Sequence, residues 1–322
     1  MAYLKIIKNG IASTIQDNGR FFFRESGIPV SGAFDKLSAQ FANILLKNKV
    51  NTPVIEFFFS GPIIQFDVDV FVSVTGANIN VYIDDNAYRS GGVYLIKSGS
   101  ILNLSKFKSG RVGYLAIRGT WDIELIYGSS STYTPCKLGG LSGRYLKSND
   151  TLIINPNEYD IKKNMLNKKI FDVVYFLKLN VNLIPFVKGL DWDKFEKKIT
   201  NMFLSQVMEI DKESSRMGLR LKTINMCHEV ERKHSIGVDE GIIQLPKNGL
   251  PIILMADGQI TGGYPIIGFV PKYAISILSQ INIGQKFKFE LISLERAKKN
   301  NKKMLQGINK FKKNYNLKYA NS

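Results

Sequence analysis

The chain has few of the residues that build self-contained metal and redox sites. It holds 2 cysteines and 2 histidines among 322 residues. Cys136 and Cys227 lie far apart and in no C-x-x-C pair, and the histidines are His228 and His234. No four-ligand spacing exists, so no structural zinc or other metal site is expected. Two isolated thiols are expected to stay reduced. Carboxylates are also scarce: 27 Asp and Glu stand against 44 Lys and Arg, a net charge of +17. Residues 297–322 alone carry 8 lysines and no Asp or Glu, which leaves +9 for the rest. The excess is Lys rather than Arg and has no interleaved aromatic pattern, so nucleic acid is not an expected partner. No apolar run approaches the ~20 residues that span a bilayer. The N-terminus runs directly into a strand-like pattern, without a leader's apolar core. A cytoplasmic protein with no membrane partner is expected.

The common catalytic motifs are missing too. There is no G-x-x-x-x-G-K-[ST] loop for nucleotide phosphates, no G-x-G-x-x-G after a strand and no G-x-S-x-G elbow. A biotin-accepting Met-Lys-Met is absent, so biotin is not attached to this chain.

What the sequence does contain is short strands. Residues 3–8 and Thr14–Gln16 read as strands joined to a turn at Asp17-Asn18-Gly19-Arg20. Residues 35–47 read as a helix with Leu37, Phe41, Ile44 and Leu45 on one face, started by Ser31 or Asp35. From residue 54 onward strands recur at close intervals: Ile55–Phe59, Val68–Val74, Val81–Ile83, Val93–Ile96, Ile101–Leu104 and Tyr114–Ile117. That spacing predicts an antiparallel barrel or sandwich. The polar run 156–169 reads as a linker. Beyond it come strands at Val173–Leu179, Gln206–Ile210, Gly241–Leu245, Pro251–Met255 and Lys286–Ile292. Helices are expected at 191–204, with Trp192, Phe195 and Ile199 on one side, and at Tyr273–Ile281. The expected plan is mainly β with a few helices, in two β-rich halves. The first spans residues 1–157 and the second 170–296, with a Lys-rich tail at 297–322. The tail has little apolar periodicity, so it is expected to be dispensable for folding.

Four segments combine Gly with polar groups beyond what a core requires. They are Gln16–Asp35, Gly128–Arg144, Ser214–Arg220 and Met255–Pro265. Glycine lets backbone N–H groups approach a ligand. Arg216 and Arg220 could clamp a carboxylate or phosphate in forked geometry. Asp257 and Gln259 would share a face if they lay in a strand, offering an acceptor beside an amide. A small anionic amide needs both kinds of group, so the Arg216/Arg220 and Asp257/Gln259 segments are expected to meet in one concave site.

These segments, in this order, resemble the motifs of the biotin-dependent carboxyltransferase family. That family includes the C-type subunit of 5-oxoprolinase, allophanate hydrolase subunit 2, a Kip-type kinase antagonist and the carboxyltransferase half of urea carboxylase. The resemblance runs over roughly residues 3–296. It rests on Thr14-Ile15-Gln16-Asp17-Asn18-Gly19-Arg20 and on Gly27 through Asp35. It continues through Glu56, Gly61-Pro62, Thr75-Gly76-Ala77, Gly128–Tyr133, Arg216-Met217-Gly218-Leu219-Arg220-Leu221, Ser235-Ile236-Gly237, Gly241–Pro246 and Ala256–Pro265. Ser130 stands where the family has Arg, Ile236 where it has Glu, and Ile260 where it has Thr. Arg118 and Thr120 lie where small residues are usual.

The resemblance implies a cyclophilin-like β-barrel architecture. It implies a subunit of an ATP-dependent 5-oxoprolinase, which opens 5-oxo-L-proline to L-glutamate together with B-like and A-like sister subunits. ATP would be a co-substrate of that complex. Asp257, Gln259, Thr261 and Arg220 would be catalytic. Arg216, Tyr264, Ser235, Gln244, Asp17, Arg20, Ser31 and Asp35 would bind substrate. The alternatives are biotin-dependent carboxyl transfer in allophanate or urea metabolism, and non-catalytic control of a sensor kinase.

Overall fold

The structure, a computed structural model, describes residues 2–157, 166–177 and 180–318. The chain divides into two compact units: residues 1–21, 31–176 and 308–322 form the first, and residues 22–30 and 177–307 the second.

The first unit holds strands β1 (Ala2–Lys8), β2 (Ala12–Gln16), β3 (Val54–Phe58), β4 (Ile63–Phe66), β5 (Val70–Ile83), β6 (Asn86–Arg89), β7 (Gly92–Ile96), β8 (Ile101–Ile117), β9 (Gly119–Trp121) and β10 (Thr151–Pro156). They form one ten-stranded sheet in the order β2-β3-β8-β4-β1-β10-β9, with β5 bonded to β6, β7 and β8. The sequence pattern breaks β5 and β8 into shorter strands because Thr75-Gly76-Ala77 and Lys108-Ser109-Gly110 look like turns. In the sheet both pairs of fragments are continuous. The register of β5 on β8 shifts between Gly76 and Asn78, so the apparent turn is a bulge. Alternating residues of the long strands, among them Val72, Val74, Ile79, Val81, Leu102, Leu104 and Leu115, fill the core. Phe57 fits under Gly61 and Gly113; a β-carbon at either would stand 2.6 or 2.5 Å from its ring.

Helix α1 (Lys36–Leu45) lies on this sheet, with Leu37, Phe41, Ile44 and Leu45 buried as their spacing requires. The hydroxyls of Ser73 and Thr75 on β5 donate to the carbonyls of Ala42 and Ser38, at 2.6 and 2.7 Å. The expected strand at Val173–Leu179 is a correction: Val173–Leu177 is a short helix, α2. The Asp172 carboxylate accepts the Tyr175 N–H at 3.2 Å, a local cap that overrides the β-branched pair Val173-Val174. Of the expected linker, residues 158–165 lie outside the described residues, while Leu166 bridges to Val93.

The second unit is built on a closed barrel in the order β11-β18-β15-β16-β13-β12-β19. Its strands are β11 (Leu183–Lys188), β12 (Met208–Ile210), β13 (Gly218–Lys222), β15 (Ile242–Gln244), β16 (Ile252–Leu254), β18 (Ile266–Phe269) and β19 (Lys286–Leu291). A two-stranded ribbon, β14 (Ile236–Gly237) with β17 (Thr261–Gly262), is added to it. Helix α3 (Lys197–Ser205) follows a separate turn at Trp192–Lys194 where one helix is predicted over 191–204. Trp192, Phe195 and Ile199 are buried, as their spacing indicates. Phe203 of α3 stacks on Phe289 with ring centroids 4.9 Å apart and meets Phe186 edge-on at 5.2 Å. Helix α4 spans Lys272–Gln280.

The Lys-rich tail is the second correction. Residues Leu294–Lys318 form a 25-residue helix, α5. Its last turns belong to the first unit. Phe311 meets Phe41 at 4.8 Å between centroids, and the buried Tyr315 donates from its hydroxyl to the Leu45 carbonyl at 2.7 Å. Phe311 and Tyr315 are four residues apart and share a face, while Lys310, Lys312 and Lys313 are exposed. No helix among the described residues is long and apolar enough to cross a membrane.

Candidate functional site

In the second unit, the segment before β13 and the turn after β16 are tied together by Arg216 and Asp257. The guanidinium donates from Nε to Oδ2 at 2.7 Å and from Nη2 to Oδ1 at 3.0 Å. The Asp257 N–H donates to the Arg216 carbonyl at 2.9 Å, and the Met255 N–H to the Met217 carbonyl at 3.1 Å. The side chains of Arg216 and Asp257 are 12% and 4% exposed. The expected meeting of these segments is therefore present, but as a closed ion pair. The positive charge of Arg216 is answered within the chain.

Arg220 stands apart from that pair. It lies on β13 between the buried Leu219 and Leu221 and faces solvent by strand alternation. Both Asp257 oxygens are engaged by Arg216, and Arg220 is not part of that pair. Asp257 and Gln259 do not share a strand face either. Asp257 lies in a turn closed by the Gly258 N–H donating to the Met255 carbonyl and is buried, while Gln259 follows the turn and is exposed.

A second grouping forms on the ribbon. Gln244, at the end of β15, is 1% exposed, and its Nε2 has no hydrogen-bond partner among the described residues. A β-carbon placed on Gly262 would stand 2.5 Å from Gln244 Nε2 and 2.7 Å from Gln259 Nε2. Two carboxamides thus converge on a bare stretch of backbone. Ser235 is beside them: a β-carbon on Gly263 would be 3.5 Å from its hydroxyl. Thr261 pairs with Gly237 across the ribbon and is exposed, and Tyr264 is half-exposed. The ribbon rests on Val238, Leu254 and Ile266, with Ile236 and Ile242 packed against them. Ile236 therefore supplies apolar support where the resembling family has Glu.

Two positioning groups escaped the sequence reading. Asp191, 1% exposed, accepts from Arg232 Nη1 at 2.6 Å, Lys194 Nζ at 2.9 Å and the Ile266 N–H at 2.9 Å. Burial pushes its pKa up, but the bonds from Ile266, Lys194 and Arg232 outweigh that and hold it below the usual carboxylate range. Arg232 anchors the segment that leads to Ser235. His228 accepts the Val230 N–H at Nδ1 (3.1 Å) and donates from Nε2 to the Leu245 carbonyl (2.9 Å), which fixes the backbone next to Gln244. In sequence, Asp191 looks like a helix start and Arg232 like one charge in a polar run, so neither stands out.

The N-terminal candidates Asp17, Arg20, Ser31 and Asp35 lie in the first unit. Asp17 accepts from Gly19 N–H at 2.7 Å, Ser129 Oγ at 2.7 Å, Ser130 N–H at 2.8 Å and Ser131 Oγ at 2.5 Å. Its carboxylate is a staple between two loops. Asp35 caps α1, accepting from the Ser38 N–H at 3.1 Å and the Ser38 hydroxyl at 2.6 Å. Arg20 is fully buried and donates from Nη2 to the Ser131 carbonyl. Asp17, Arg20 and Asp35 are thus each hydrogen-bonded within, or buried in, the first unit. Ser31 is also buried, with φ of 55° and a hydroxyl without a partner among the described residues. Nearby, Tyr114 donates to Glu56 at 2.8 Å and accepts the Asp35 N–H at 2.6 Å. Burial, then the charges of Glu56 and Asp35, push its phenol well above the usual range. Burial also draws Arg111, over the Phe34 ring, down to about 10.

Among the described residues, no three His, Cys, Asp or Glu side chains group as a metal site. Known proteins share both the sequence and the fold. The family described as carboxyltransferase domain, subdomain A and B, matches residues 26–291. The chain is 35% identical over 297 residues to the C-type subunit of 5-oxoprolinase from Escherichia coli, covering 92% of this chain and 93% of that protein. It is 34% identical over 289 residues to the corresponding 5-oxoprolinase subunit of Haemophilus influenzae, covering 89% and 90%. Its fold is that of a segment of the K. lactis urea amidolyase crystal structure, with a TM-score of 0.84 at 22% identity. That match covers 98% of this chain but only 20% of the amidolyase chain.

Proposed function

Because the chain belongs to the family of the carboxyltransferase domain, subdomain A and B, we propose that it is the C-type component of an ATP-dependent 5-oxoprolinase. The observation that carries this reading is the nearly end-to-end correspondence with two proteins named as that 5-oxoprolinase subunit. Sister subunits of B-like and A-like kind complete the enzyme, and the reaction is opening of 5-oxo-L-proline to L-glutamate. ATP is the co-substrate of the assembly; this chain's own sequence has no phosphate-binding loop.

Within that reading the ribbon of the second unit is the substrate end. Gln244, Gln259, Ser235, Thr261 and Tyr264 offer carboxamides and hydroxyls around Gly262-Gly263, chemistry suited to the neutral amide group of such a substrate. Arg216 and Asp257 neutralise each other and act as the brace that positions the turn carrying Gln259. Arg220, Asp17 and Asp35 are left out of the substrate contacts. Carboxyl transfer in a urea amidolyase-like protein is the second reading, less favoured because there the corresponding segment is only a fifth of a much longer chain. Deleting the gene tests the choice. Accumulation of 5-oxoproline, reversed by the intact gene, is expected. Unchanged 5-oxoproline with a defect in urea use would favour the second reading.

A further inference from the structure

Residues 22–30 belong to the second unit, although Phe21 before them and Ser31 after them belong to the first. Both ends of this strap turn sharply. Phe22 has φ of 71° and Ser31 has φ of 55°, left-handed values that a residue with a side chain normally avoids. Such conformations persist where the surrounding contacts fix them. Between the ends lies one short turn: the Ser26 N–H donates to the Phe23 carbonyl at 3.1 Å and the Gly27 N–H to the Arg24 carbonyl at 3.0 Å. Arg24 ties that turn to the unit. Its Nη2 donates to the Val238 carbonyl, and its Nη1 lies 3.0 Å from Asp239 Oδ1.

Val238 and Asp239 form the joint between the ribbon and the barrel. Val238 follows directly on β14 and donates its N–H to the Ile260 carbonyl at 2.9 Å. Its side chain is buried with Leu254 and Ile266. The Asp239 carbonyl accepts the Ile242 N–H at 3.2 Å, which turns the chain into β15 and so towards Gln244. One guanidinium therefore grips two successive residues at the point where β14 gives way to β15. A planar fork can do this with one side chain, whereas an ammonium has no second arm in fixed geometry. The ion pair contributes little by itself, because its side chains are 33% and 65% exposed. The bond to the Val238 carbonyl fixes the backbone itself.

We infer that Arg24 is a positioning residue for the ribbon: the strap of residues 22–30 clips the joint at Val238-Asp239 and holds β14 and β17 in place beside Gln244. The inference deepens the proposed function and rests on it for the ribbon's role at the substrate end.

Amide hydrogen exchange of the full chain reads the clip directly. Arg24→Ala is expected to speed exchange about fivefold or more in peptides covering residues 22–30, 236–238 and 260–262, and to leave β1 and β10 of the first unit unchanged. Arg24→Lys keeps a charge for Asp239 but loses the fork, so it should exchange nearly as fast as Arg24→Ala. Asp239→Asn keeps the oxygen that accepts the Glu240 N–H at 2.8 Å and leaves Arg24 on the Val238 carbonyl. It should exchange within about twofold of the wild type, as the loss of an exposed ion pair implies. In the enzyme assembled with its sister subunits, Arg24→Ala should raise KM for 5-oxo-L-proline about fivefold or more while kcat stays within about twofold. Unchanged exchange in Arg24→Ala, or full rescue by Arg24→Lys, overturns the clip. Equal acceleration in both units also overturns it, because Arg24 would then support folding in general. Faster exchange confined to the strap and ribbon with an unchanged KM overturns the positioning role. An assembled wild-type enzyme without lactam-dependent turnover sinks the 5-oxoprolinase reading instead, and the exchange rates still decide the clip.

Discussion

Arg216 and Asp257 meet as a two-point ion pair, with Nε on Oδ2 at 2.7 Å and Nη2 on Oδ1 at 3.0 Å, 41 residues apart in the chain. A pair this enclosed contributes mainly through what its rupture leaves behind. Arg216→Ala strands a carboxylate that is 4% exposed, at an expected cost of about 3–5 kcal/mol. The double variant Arg216→Ala/Asp257→Ala removes both charges and should lose less than the sum of the two single losses. Thermal unfolding of the four proteins in a double-mutant cycle checks this. Additive losses would mean that the pair is not coupled.

The end of α5 makes a second expectation concrete. Tyr315 is 4% exposed and Phe311 packs on Phe41. Burying an aromatic side chain of this kind contributes roughly 1.5–3 kcal/mol. Truncation after Gly307 should therefore lower the melting temperature by more than about 5 °C, at a few degrees per kcal/mol for a domain of this size. Tyr315→Phe, which removes only the bond to the Leu45 carbonyl, should cost about 1 kcal/mol. A truncated chain that melts with the wild type would return the tail to the dispensable role its composition suggests.

That tail shows where sequence reading stops. Met304, Ile308, Phe311 and Tyr315 are spaced for one helix face, but they are interspersed with lysines, and only the presence of Phe41 and Leu45 opposite gives Phe311 and Tyr315 something to bury against. The strand expected at Val173–Leu179 failed for a related reason: local β propensity yielded to the Asp172 cap. The barrel, the placement of Leu37, Phe41, Ile44 and Leu45, and the meeting of Arg216 with Asp257 were all legible, because alternation and motif order carry that information. The roles were less legible. A carboxylate in a Gly-rich motif reads the same whether it binds substrate or, like Asp17, staples two loops through four internal hydrogen bonds. Gln244 and Gly262 were visible as motif letters, but their convergence is a property of β15 lying beside the ribbon.

Asp191 gives a pH dependence. Its folded pKa lies below the ordinary aspartate value of 3.8, so the folded form binds a proton less readily than the unfolded chain. The stability it contributes is fully present above about pH 4 and is lost as pH falls through the depressed folded value. Asp191→Asn should therefore be less stable than the wild type at pH 7, and the gap should close progressively below about pH 4. Melting temperatures of both proteins between pH 7 and pH 3 check this. A gap that stays constant across the range would show that the carboxylate charge is not what Arg232 and Lys194 read.

On the proposed function, this chain is required when the enzyme is reconstituted from purified subunits. L-glutamate formation and ATP consumption are measured with 5-oxo-L-proline for the chain alone, for its sister subunits without it, and for the full set. Coupled formation of glutamate is expected only with the full set, and none from this chain by itself. Turnover by the single chain, or undiminished turnover by the sister subunits in its absence, would show that it is not such a component.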